Sequence, residues 1–117
     1  MLALHAAAGP VEFGTAEVER AIAARALKPN AIRFKTEIGP GAPESFRITP
    51  GLISGADLRG LMYGLLEAAE QIRETGRLVK AAGTPATPIR GIRYFLHNRD
   101  LESGWYFSRE YWKDFFA

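Results

Sequence analysis

The sequence contains no cysteine, which excludes disulfides, thiolate zinc sites and cysteine nucleophiles. Its two histidines, His5 and His97, are too few for a histidine-rich metal centre. An excess of charge of one sign is lacking as well. Fifteen Lys and Arg stand against 13 Asp and Glu for a formal charge of +2, and the basic residues are scattered. No nucleic-acid footprint is therefore expected, although the sequence pI is 9.2. Long hydrophobic runs are also missing. The opening residues 1–9 are apolar but short and lack a basic lead, so neither a secretory signal nor a membrane span is expected there. No internal repeat or low-complexity block occurs. Gly39-Pro40-Gly41 is rich in glycine but lacks the Lys and helix start of a phosphate loop, and no cofactor is expected.

What is present is an ordinary globular composition of 117 residues, 47% hydrophobic and 24% charged, enough for one core. After Thr15, a candidate N-cap, helical spacing places Val18, Ala21 and Ile22 on one face, with Arg25 a further candidate, and Glu17 and Glu19 lie near the positive helix end. This helix ends before Pro29-Asn30. Residues 31–38 alternate apolar and polar at Ile32, Phe34, Thr36 and Ile38, the period of a half-buried strand. A second alternating segment, residues 44–49, leads into Pro50-Gly51, a turn pair that returns Leu52-Ile53-Ser54 antiparallel.

Asp57 then caps the strongest helix signal, with Leu58, Leu61, Met62, Leu65, Ala69 and Ile72 on one face and Gly76 as its stop. Residues 77–80 read as an edge strand and residues 81–88, with Gly83, Pro85 and Pro88, as a linker. Nine of the 13 aromatics follow, from Tyr94 onward. Residues 89–96 read as a buried strand, and Ser108 caps a terminal helix. The fold class expected is α+β, a small antiparallel sheet with helices on one face.

Two stretches carry a resemblance. Glu44-Ser45-Phe46-Arg47-Ile48 followed by Asp57-Leu58-Arg59-Gly60-Leu61-Met62-Tyr63-Gly64 is similar to the patterns E-x-[FY]-x-[IL] and D-x-x-G-x-x-Y-G. These belong to the small domain that precedes the catalytic barrel in family 20 β-N-acetylhexosaminidases and family 67 α-glucuronidases. Gly60 and Gly64 lie one helical turn apart and form a smooth strip for close approach to a sheet, at a cost of about 1 kcal/mol each in helix propensity. Further on, Pro88-Ile89-Arg90-Gly91 resembles the P-x-R-G that opens the first barrel strand, and residues 105–116 resemble the first barrel helix with its approach loop.

The resemblance implies an accessory α+β domain over residues 1–82, a linker over 83–88, and over 89–117 a β-strand and helix of an incomplete (β/α)8 barrel. It implies a glycoside hydrolase that cleaves O-glycosyl bonds, with carbohydrate as the partner of the full barrel. Arg90 would hydrogen-bond sugar hydroxyls, for which a planar guanidinium supplies two parallel donors. His97 and Asn98 follow the expected strand, where barrel active-site residues gather. Phe95-Leu96-His97-Asn98 departs from the family 20 continuation D-x-[SA]-R, so no sugar is assigned.

Hydrolysis needs two acidic functions, or one acid plus an assisting group of the substrate, and the resemblance places these carboxylates on middle and late barrel strands. The acids present read as caps and solvated faces: Asp57, then Glu67, Glu70 and Glu74, then Asp100, Glu102, Glu110 and Asp114. The chain alone is expected to be inactive. An unclosed barrel segment leaves a strand edge and an aromatic face in water, so self-association through the C-terminal aromatics is expected. The competing reading is a self-contained α+β binding or oligomerisation module, in which residues 89–96 pair with the small sheet.

Overall fold

The computed structural model describes residues 9–93 and 99–117, with side chains from residue 103 onward in the second stretch. The fold is α+β, with a mixed four-stranded sheet and four helices among the described residues. In chain order these are α1 (Pro10–Ala24), β1 (Lys35–Ile38), β2 (Phe46–Thr49), β3 (Leu52–Gly55), α2 (Leu58–Thr75), β4 (Ala81–Gly83), α3 (Arg99–Tyr106) and α4 (Arg109–Phe115). The chain divides into two compact units, Met1–Ala86 and Thr87–Ala117.

In the first unit the sheet order is β1-β3-β2-β4. The Pro50-Gly51 turn, with Gly51 at φ +78°, produces the antiparallel β2–β3 hairpin, in register Phe46 to Gly55 and Thr49 to Leu52. β1 joins β3 in parallel, Lys35 opposite Leu52, so the sheet is mixed rather than wholly antiparallel. β4 closes the other edge against β2. It falls on Ala81–Gly83, inside the expected linker and just after the residues expected to form the edge strand. The ring of Phe46 lies over Gly83, where a Cβ would come within 2.8 Å of Cζ.

Helix α2 lies against the sheet, and α1 packs along α2. Val18 and Ala21 of α1, Ile48 of β2, Ile53 of β3 and Leu61, Leu65, Ala68, Ala69 and Ile72 of α2 make one core. Leu58, expected on the buried face, is mostly exposed because it occupies the first helical position. The α2 caps follow the sequence: Asp57 accepts from the amide of Gly60, and Gly76, at φ +74°, donates to the carbonyl of Ile72. Gln71, buried, accepts from the amide of Val79 at 2.9 Å and so ties the chain leaving α2 back onto the helix.

Helix α1 begins five residues before the expected cap. Pro10 sits at its first turn with Gly9 as N-cap, and Thr15 is interior, its hydroxyl donating to the carbonyl of Val11 at 2.8 Å. The helix ends without glycine. Ala26, at φ +54°, and Leu27 donate to the carbonyls of Ala23 and Ile22, the paired bonds of a Schellman stop.

In the second unit, Ser108 caps α4 as expected, accepting from the amide of Tyr111 at 3.2 Å. The indole of Trp112 donates to the carbonyl of Tyr106 at 2.7 Å, and Trp105 lies against Tyr111 with ring centroids 5.0 Å apart. Helix α3, Arg99–Tyr106, lies mostly ahead of the residues 105–116 expected to form the barrel helix and its approach loop. Residues 89–93 belong to no strand, and Ile89 is 89% exposed: an isolated extended segment has no ladder to hold it. The remainder of the expected strand, residues 94–96, lies outside the described residues.

Candidate functional site

The three residues expected to face a sugar are not assembled among the described residues. Arg90 precedes α3 in an exposed stretch, and its guanidinium donates to the carbonyl of Thr87 at 2.6 Å. His97 and Asn98 lie outside the described residues. No group of three His, Asp or Glu among the described residues is placed to hold a metal ion.

The motif that carries the resemblance forms a tight node in the first unit. One carboxylate oxygen of Asp57 accepts from the amide of Gly60 and the other from the amide of Glu44, each at 2.8 Å. Glu44 adopts φ +60°, a strained conformation for a residue with a side chain, and the Asp57 bond holds it there. The amide hydrogen bonds, from Gly60 first and Glu44 second, lower the Asp57 carboxyl below its ordinary 3.8. Gly60 and Gly64 then seat the helix. A Cβ on Gly60 would collide with the carbonyl oxygen of Ser45, and one on Gly64 would stand 2.9 Å from Ile53 Cγ2 and 3.2 Å from Phe46 Cβ. Motif and geometry agree that these residue types serve close packing between the first helical turns and the β2–β3 hairpin.

A second cluster joins α1 to α2. Arg73 donates to Glu17 and to Glu70, each at 2.7 Å, and Arg25 donates to the carbonyls of Arg73 and Glu74, completing the end of α2. The hydrogen bond from Arg73 holds the Glu17 carboxyl below its ordinary 4.5. A glycosidase acid needs the opposite, a carboxyl raised by burial so that it stays protonated near neutrality. Asp57 and Glu17 thus have the electrostatics of a cap and an ion pair rather than of an acid catalyst.

A third place was not legible in the sequence. On the sheet, Arg47 of β2 stands opposite Ser54 of β3 and Ala82 of β4. With Thr84 and the loop residues Gly41 and Ser45 they line a pocket of about 180 Å³. The alternation in β2 turns Arg47 away from buried Ile48, but only the strand register brings Ser54 beside it. Thr84 lay within the expected linker.

No protein-family model matches the chain, and no curated protein or solved structure matches it significantly.

Proposed function

We propose that this chain is the non-catalytic N-terminal portion of a glycoside hydrolase, which cleaves O-glycosyl bonds when its (β/α)8 barrel is complete. The observation that carries the reading is the Asp57 node. Asp57, Gly60 and Gly64 of D-x-x-G-x-x-Y-G meet Glu44, Ser45 and Phe46 of E-x-[FY]-x-[IL] through hydrogen bonds and close packing. The two halves of the resemblance thereby have one physical purpose, to seat a helix on a hairpin. In this reading residues 1–82 buttress the barrel, residues 83–88 link the two, and residues 89–117 contribute its first strand and helix. Arg90, with His97 and Asn98, lies at the sugar-facing end, and carbohydrate is the partner of the full barrel.

The paired carboxylates come from later strands, so the chain by itself turns over no glycoside. Without neighbouring strands and helices its aromatic end self-associates; Phe107 is 72% and Phe116 62% exposed. The test compares the protein extended through its downstream reading frame with the same protein lacking residues 9–86, using chromogenic aryl glycosides. Hydrolysis by the first and loss of folding or turnover in the second support the reading. An extended protein that cleaves no glycoside contradicts it.

One observation favours a second reading, a binding or oligomerisation module. Among the described residues the buried core runs from Val18 to Ile72 and is built from α1, α2, β2 and β3 of the first unit. A stable monomeric fragment of residues 9–86 is compatible with both readings. Specific capture of a partner by that fragment, with no glycosidase activity in the extended protein, selects the second.

A further inference from the structure

The sheet face opposite α2 carries a pocket whose chemistry is one-sided. Phe46 and Ile48 of β2 and Ile53 of β3 belong to the packed side of the sheet, so alternation puts Arg47 and Ser54 on the other. The strand register aligns Ala82, Arg47 and Ser54 in one row across three strands. The loop after β1 supplies a wall through Pro40, Gly41, Ala42 and Ser45, and Thr84 closes the end beyond β4. Among the described residues Arg47 is the only charged one lining this pocket, and no carboxylate of theirs lines it. Among the described residues the Arg47 guanidinium makes no ion pair or hydrogen bond. Glu37, the nearest carboxylate in the register, pairs with Ser54 one strand further away and does not line the pocket.

We propose that this pocket binds a small oxyanion, the shared chemistry of a phosphate, a sulfate or a carboxylate group. The planar guanidinium offers two parallel N–H donors to two oxygens of such a group, the geometry in which arginine surpasses lysine. The hydroxyls of Ser54, on β3, and Thr84, just after β4, add donors. The Ser45 hydroxyl is committed as a donor to the carbonyl of Ala42, at 2.6 Å, and shapes the wall. A volume of about 180 Å³ accommodates one oxyanion and a few attached atoms. Because Arg47 is solvent-accessible, one guanidinium and two hydroxyls give modest affinity. This site is independent of the glycosidase reading.

The experiment titrates the full chain with inorganic phosphate, sodium sulfate and sodium acetate at constant ionic strength, following backbone amide shifts by NMR. Saturable shifts confined to Ser45, Arg47, Ser54, Ala82 and Thr84 are expected. Preference for phosphate and sulfate assigns a tetrahedral anion, and preference for acetate assigns a carboxylate. Arg47→Gln should weaken binding at least about tenfold. Ala82→Glu, which plants a carboxylate beside Arg47 on an exposed position, should remove it by occupying the guanidinium from within. Absence of saturable shifts with all three anions, or unchanged affinity in either variant, would overturn the proposal.

Discussion

Replacing Gly60 by alanine is the most incisive perturbation of the helix seat. In an exposed helix the exchange would stabilise the protein by about 1 kcal/mol. Here the new Cβ would overlap the carbonyl oxygen of Ser45 and stand 3.1 Å from the carbonyl carbons of Glu44 and Ser45. These are backbone atoms and cannot rotate aside. The Ser45 carbonyl also accepts from the amide of Ala56 at 3.0 Å, so moving it disturbs that bond. Overpacking costs about 1–3 kcal/mol and a weakened hydrogen bond about 1 kcal/mol. Against the propensity gain, a net loss of about 2 kcal/mol remains, or about 8–16 °C in Tm for a domain of this size.

Gly64→Ala provides the internal comparison. Its Cβ would meet a methyl group and a ring-bearing side chain, at 2.9 and 3.2 Å, which shift more readily, and the net cost should be about 0–1 kcal/mol. Thermal and urea unfolding of both variants measures the difference. A Gly60→Ala protein as stable as the wild type, or a Gly64→Ala protein that loses more, would refute the argument that backbone contact at Ser45 demands glycine.

Four further outcomes follow from the same structure. Leu65→Ala, at a fully buried site, should cost about 2–5 kcal/mol in urea unfolding, and a smaller loss would mean that the core collapses around the cavity. Ala26→Gly should stabilise by about 1 kcal/mol, because φ +54° penalises a Cβ at this helix stop; a destabilised variant would contradict the Schellman assignment. Asp57 and Glu17 have folded pKa values below their unfolded ones, so their contribution is fully present above the ordinary carboxylate values of 3.8 and 4.5 and is lost as pH falls through the lowered folded values. Urea midpoints should therefore be flat above about pH 5 and fall in acid. The Asp57→Asn, Glu17→Gln double variant should show a shallower acid fall, and an undiminished one would assign it to other carboxylates. A double-mutant cycle on Glu17 and Arg73 should give a coupling below about 1 kcal/mol, because Arg73 is 36% exposed, and the coupling should shrink in about 1 M NaCl. A larger, salt-independent coupling would mean that the pair is better desolvated than its exposure implies.

Local chemistry was legible in the sequence at most turns and caps, though not at the start of α1, where Gly9 and Pro10 rather than Thr15 begin the helix. Pro50-Gly51, Asp57, Gly76 and Ser108 turn, cap or stop the elements as their types require, and the spacing of Leu61, Leu65, Ala69 and Ile72 fixes the buried stripe of α2. Two of the misses have their cause in long-range contact. The parallel pairing of β1 with β3 joins segments separated by the whole β2 strand and leaves no local signature. Gly14 resembles a helix breaker, yet it sits inside α1 because a Cβ there would stand 2.8 Å from Leu65 Cβ; helix packing selects the glycine. The end of α1 was obscured because alanine occupies the left-handed position that usually identifies itself by glycine. Of the candidate sugar-facing residues, Arg90 alone is described, and the Arg47 pocket draws its lining from three strands and a loop distant in sequence.

The most direct test of the central proposal is to read the DNA downstream of the codon for Ala117. The account predicts an in-frame continuation carrying the remaining barrel strands and helices, with paired carboxylates on the middle and late strands. A reading frame that continues into no barrel, or stops, would contradict it and leave residues 9–86 as a module with a function of its own.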